Sequence, residues 1–122
     1  MITLLGVGAA AALGAVARYV LDQYVQYLRP GAFPRGTWLI NITGSFVLGL
    51  AVGLAARHGL PEQVLTIVGA GFCGAYTTFS TFSYELVRLC ERGRAGTSLL
   101  YGASSLAAGL AAVVAGFAVG TL

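Results

Sequence analysis

The chain has 122 residues, 57% hydrophobic and only 9% charged, and its seven arginines and four acids give a formal net charge of +3. Soluble domains carry roughly 25% charged residues, so a mean hydropathy of +0.84 excludes a water-solvated domain and points to an integral membrane protein of one domain. The arginines are scattered at element ends, not gathered into the basic stripe that nucleic acid requires, and Cys73, Cys90 and His58 offer neither a disulfide framework nor metal-ligand spacing.

The first apolar span covers residues 2–25 and carries Arg18 and Asp22 near its end. It lacks the basic leading segment of a cleaved signal peptide and is expected to be retained. Arg29-Pro30-Gly31 and Pro34-Arg35-Gly36 then break the helix. The second span, residues 37–56, places Thr37, Asn41 and Ser45 at i, i+4 and i+8, one polar stripe. A buried amide is costly unless its donors and acceptors are met. Asn41 alone reads equally as interhelical glue; a stripe of three favours a lined path. Arg57-His58-Gly59-Leu60-Pro61 ends this span.

The third span, residues 64–90, holds Gly74-Ala75-Tyr76-Thr77-Thr78-Phe79-Ser80-Thr81-Phe82-Ser83. Five hydroxyl side chains crowd into seven positions there, preceded by Gly69, Gly71 and Gly74. Hydroxyls bond back to their own helix and bend it, so the helix is expected to unwind within the membrane. Broken backbone at that depth is tolerated only where protein or a polar cavity meets its freed groups. The plainer alternative is a continuous packing helix. Phe79 and Phe82, at i and i+3, share a face. The fourth span, residues 99–122, aligns Tyr101 and Ser105 at i, i+4, with Gly109 continuing the line. Tyr101 reads as an interfacial anchor or as part of a donor rail. Each span approaches or exceeds the roughly 20 residues that cross a hydrocarbon core. The expected fold is all-α with four transmembrane helices, the third broken mid-membrane.

Gly49 and Gly53, like Gly116 and Gly120, have the spacing that lets helix backbones approach, either within one bundle or across a dimer. A bundle this thin could hardly enclose a polar path alone, which implies an oligomer, most simply a two-fold dimer. No acid falls in the middle of a span: Asp22 and Glu85 lie toward helix ends, and Glu62 and Glu91 in loops. A proton-coupled exporter needs a titratable group at depth. A donor-rich lining without one favours passive movement of an anion.

The third-span block, with Gly14-Ala15-Val16-Ala17-Arg18-Tyr19 and Gly36-Thr37-Trp38-Leu39-Ile40-Asn41-Ile42-Thr43-Gly44-Ser45-Phe46, resembles the small bacterial fluoride channels of the Fluc or CrcB family over the whole chain. The resemblance implies an antiparallel dimer with two narrow pores that passes fluoride out of the cytoplasm of a bacterial cell. It implies that Phe79 and Phe82 face the pores, presenting the electropositive ring edge to the anion, and that Asn41 donates an amide N–H. Tyr101 and Ser105 match a polar track, with Thr78, Ser80 and Thr81 supplying donors around the break. Arg18 matches an arginine near the aqueous entrance; from the residue alone it reads equally as a snorkelling interfacial side chain. A structural sodium ion at the dimer centre is implied too, held by main-chain carbonyls at positions matching Gly74 and Thr77. The resemblance implies a serine at the next step of this track, where this chain has Gly109.

Arg29, Arg35, Arg92 and Arg94 fall in the loops of one side, against Arg57 alone on the other. The positive-inside rule then favours both termini outside. Either a homodimer of dual topology or a pair with a related chain remains open. The alternatives are a small multidrug exporter, which needs a first-span glutamate absent here, and a structural subunit whose hydroxyls only join helices. No nucleophile–base pair suggests an enzyme.

Overall fold

The computed structural model describes residues 1–122 and contains helices alone. Helix α1 spans Ile2–Leu28, α2 Arg35–His58 and α6 Ala95–Gly120. Between α2 and α6 lies a composite helix: α3 (Glu62–Thr66), a π-helical segment (Ile67–Cys73), the single turn α4 (Gly74–Tyr76) and α5 (Ser80–Glu91). These make four segments long and apolar enough to cross a membrane. Proline and glycine set their limits as backbone geometry requires. Pro34 and Pro61 occupy N-cap positions, where a missing N–H costs no helical bond. Gly59 (φ 69°) ends α2 in the left-handed conformation.

The third transmembrane segment is broken, as its hydroxyls suggested, after Tyr76. Thr77 is extended (φ −79°, ψ 162°), and helix resumes at Ser80. The glycines do not make this break. Gly69 and Gly71 lie in the π-helical segment, and Gly74 is right-handed helical (φ −61°, ψ −36°). Gly71 serves close approach instead, as does Gly14 on α1. A Cβ at Gly71 would meet the Val7 carbonyl at 2.9 Å, and one at Gly14 would meet the Phe72 carbonyl at 2.5 Å. α1 therefore seats its backbone directly on the π-helical turn.

α2 and α6 form the most extensive helix pair. The two glycine pairs left open between bundle and dimer interlock here within one chain. A Cβ at Gly53 would meet the Phe117 carbonyl at 2.5 Å, and one at Gly120 the Leu50 carbonyl at 2.5 Å. Gly49 faces Val113, and Gly116 faces Phe46, with no room for a side chain. Small residues let dispersion and weak Cα–H contacts act over a long seam in lipid, where no hydrophobic force draws helices together.

Only 17 of the 122 residues are buried, and large apolar side chains such as Leu5, Leu13, Val16, Leu106 and Leu110 point outward. That surface needs lipid or another subunit against it.

Candidate functional site

The break is held by a side chain from another helix. Thr78 N–H, freed from the helical ladder, donates to Asn41 Oδ1 at 2.8 Å. Asn41 Nδ2 donates to the Thr78 carbonyl at 2.9 Å. One amide thus satisfies both polar groups of the residue that leaves the helix, which is how irregular backbone survives at membrane depth. Thr78 Oγ1 then accepts the Thr81 N–H at 3.2 Å and lies 3.4 Å from Ser80 Oγ, so it caps the first turn of α5. Before the break, Thr77 returns both its N–H and its hydroxyl to the Cys73 carbonyl, at 2.9 and 2.8 Å. Because Thr78 N–H has turned to Asn41, the Gly74 carbonyl loses its helical donor.

Asn41 lines two recesses. A groove of about 190 Å³ is lined by Asn41, Thr78, Phe79, Phe82, Ser105 and Leu106. A second recess of about 340 Å³, sharing Asn41, Thr78 and Phe79 with the first, also includes Ser45, Gly74 and Thr77. Five of the expected pore residues therefore meet in one groove. Phe79 and Phe82 have centroids 6.0 Å apart with rings tilted by 45°. Their surroundings differ: Phe79 is 78% exposed, whereas Phe82 is half-buried with its ring 5.1 Å from Tyr101. Ser105 Oγ is buried and has no hydrogen-bond partner. Ser80 and Thr81 expose their hydroxyls and line neither recess.

Tyr101 is fully buried and does not anchor at the interface. Its hydroxyl donates to Glu85 Oε1 at 2.9 Å, with the buried Thr37 beside them. Glu85 is half-buried. Glu85 lies toward the end of the bundle, as expected, and its carboxylate turns onto Tyr101 rather than outward. The signal was present in sequence: Glu85 lies i+3 from Phe82, on the same helical face. The stripe on α2 also resolves into separate tasks. Thr37 joins the Glu85 pair, Asn41 holds the break, and Ser45 Oγ donates to its own helix at Asn41 O, 2.7 Å away. Gly109 faces Ser45: a Cβ there would stand 3.8 Å from that hydroxyl.

A wider basin of about 520 Å³ opens at one end of the bundle, lined by Gln26, Pro34, Glu85, Arg88, Arg92 and Arg94 among others. Glu85 belongs to both this basin and the Tyr101 pair, so the basin leads toward Phe82. Arg18, expected at an entrance, is half-buried on α1 and does not line it. The sequence reading missed this grouping because Arg92 and Arg94 meet Gln26 and Pro34 only when the α1–α2 and α5–α6 turns come together. No group of three or more His, Cys, Asp or Glu is arranged to hold a metal.

Four membrane-crossing segments, a break clamped by one amide, and a groove walled by aromatic rings and hydroxyl-bearing residues define a small multi-pass membrane protein built around a polar site at the break. The chain belongs to the CrcB-like protein family, whose pattern it matches over residues 5–117. It is 49% identical over 123 aligned positions to the fluoride-specific ion channel FluC 1 of Leifsonia xyli, covering 97% of this chain and 90% of that one. It is 48% identical to the fluoride-specific ion channel FluC of Acidobacterium capsulatum, covering 89% and 88%. With FluC 2 of Geobacillus kaustophilus the identity is 47%, covering 93% and 89%. These relatives are ion channels, and this chain is not an enzyme; it is a multi-pass protein of the bacterial plasma membrane.

Proposed function

We propose that this chain forms a passive, fluoride-selective channel that lets fluoride leave the cytoplasm. The observation that carries the reading is the buried, unpartnered Ser105 hydroxyl in the same groove as Asn41, Phe79 and Phe82. A buried hydroxyl without a partner is unfavourable unless something else meets it. Fluoride binds water too strongly to enter hydrocarbon, and fixed cations would hold it too tightly to release. Neutral O–H and N–H donors with ring edges give several weak sites in succession, which suits conduction. Tyr101 continues this wall behind Phe82, and Thr78, Ser80 and Thr81 orient it. Arg18 stands outside the basin, so the entrance charge falls to Arg88, Arg92 and Arg94.

The channel is an antiparallel dimer, with itself or with a related chain. Support comes from the 78% exposure of Phe79, an unusual place for an aromatic wall unless a second subunit closes the groove. A structural sodium ion fits the same centre. Gly74 and Thr77 line the 340 Å³ recess, and the Gly74 carbonyl has lost its helical donor; hard cations take such oxygens. The ion would satisfy carbonyls that the break leaves over.

A second reading, fluoride export coupled to protons, is favoured by one feature, the inward-turned Glu85. Purified protein in liposomes loaded with potassium fluoride separates the two. Efflux should start when an ionophore releases the opposing voltage, at equal internal and external pH. Proton movement in fixed ratio to fluoride, measured with a pH-sensing dye, would select the coupled reading; fluoride efflux without it would select the passive one. Chloride passing as fast as fluoride would overturn both.

A further inference from the structure

We infer that the Thr78 peptide is an orienting lock on Asn41, deciding which end of that amide the groove meets. This rests on the proposed fluoride pathway and adds a positioning group to it. An asparagine is two-faced toward an anion: Nδ2 attracts and Oδ1 repels. The two ends are nearly the same size, so turning the amide over exchanges them with little steric consequence. An unheld Asn41 would face an anion with its carbonyl part of the time.

Thr78 prevents the exchange. Its N–H is met by Oδ1 at 2.8 Å and its carbonyl by Nδ2 at 2.9 Å. Because a donor and an acceptor of one residue are both engaged, the reversed amide would set N–H against N–H and oxygen against oxygen. Two bonds would be lost and two like contacts made, inside a bundle where unmet groups are most costly. Ser45, the nearby hydroxyl on α2, is spent on the Asn41 backbone carbonyl and does not compete for the amide.

The amide nitrogen carries two hydrogens, and Thr78 takes one. Asn41 lines both the 190 Å³ groove and the 340 Å³ recess, so the second N–H is the group left for that space while Oδ1 is engaged by Thr78 N–H. Anion selectivity at this position is thus set by backbone from another helix. The unwound turn does more than open space: its freed N–H and C=O hold the donor in register.

Two variants test this in dimers whose wild type conducts fluoride; absent wild-type flux would instead reject the channel reading. In the first, residue 78 is introduced as 2-hydroxy-3-methylbutyrate, which replaces the N–H by an ester oxygen, with Thr78→Val as its amide counterpart. Flux about tenfold below Thr78→Val, with unchanged gel-filtration and circular-dichroism profiles, is expected. Equal flux overturns the lock. The second variant, Asn41→Asp, decides even where the ester does not assemble. Once protonated, its C=O can accept Thr78 N–H and its O–H can donate to Thr78 O, but no second hydrogen remains for the groove. As pH falls from neutral, its resistance to unfolding should return toward wild type while flux, corrected for protein-free liposomes, stays low. Flux that recovers together with stability would show that the groove needs no donor from residue 41 and overturns the inference.

Discussion

Ser105 places a hydroxyl where the chain offers it nothing to bond, and such a group costs about 1–3 kcal/mol. Ser105→Ala is therefore expected to stabilise the ion-free protein by about 1 kcal/mol while lowering fluoride flux. Denaturation in fluoride-free detergent beside liposome flux measures both; a destabilised variant with full flux would refute the role. The two phenylalanines should separate in the same way. Phe82 packs on Tyr101, so Phe82→Ile should cost about 1 kcal/mol of stability as well as flux, because the tilted aromatic pair is lost. Phe79 is mostly exposed within its chain and pairs only with Phe82, so Phe79→Ile should cost less stability than Phe82→Ile and reduce flux about tenfold by removing the ring's quadrupole. Wild-type flux in both variants would end the ring-edge mechanism.

At the scale of elements, the α2–α6 seam and the broken third segment depend on small residues in different ways. Gly116 faces the Phe46 carbonyl and Gly49 the Val113 carbonyl, with no room for even a methyl group. Gly116→Val should force the helices apart and cost a few kcal/mol, at or beyond the usual overpacking range of about 1–3 kcal/mol. Gly8→Ala, with nothing within 4 Å, should be neutral or slightly stabilising. Equal unfolding midpoints for the two would contradict the interlocked seam. Gly74 behaves otherwise. Its dihedrals suit any residue, and a Cβ would find only the Gly69 carbonyl, at 3.7 Å. Gly74→Ile should not strain the turn, contrary to what its place beside the break suggests. Its side chain would fill the 340 Å³ recess, so the expected result is a folded subunit with lost dimerisation and lost sodium dependence. Full activity with unaltered sodium dependence would remove Gly74 from the cation site.

For the whole molecule, the arginine distribution and the proposed dimer make one joint prediction. The basin brings the α1–α2 and α5–α6 turns to one end, with Arg88, Arg92 and Arg94 around it, and Arg57 lies at the end of α2 on the other side. With the exposed Cys90 replaced by serine and Cys73 left buried, Arg94→Cys can be labelled from outside the cell by an impermeant maleimide. A homodimer of dual topology should label about half of its chains; a chain of fixed orientation paired with a related subunit should label all or none. Functional dimers cross-linked only through same-side cysteines would rule out the antiparallel arrangement.

Composition and local pattern were enough to settle the membrane, the four helices and the approximate place of the break, because lipid demands long apolar runs and hydroxyls compete with the ladder of their own helix. Asn41 and Ser105 were legible as candidates by type and spacing, whereas Phe79, Phe82 and Thr78 took their place in the pore from the family resemblance. Their partners were not legible, because no local rule joins residues on different helices. Asn41 bonds Thr78 across 37 residues of chain, Tyr101 turns from interface to Glu85, and the glycine pairs choose the bundle over the dimer. Each of these followed only once the helices had packed. In a protein with so little buried surface, a backbone or side-chain polar group takes whichever partner the neighbouring helix brings within reach, and only the tertiary arrangement determines which one that is.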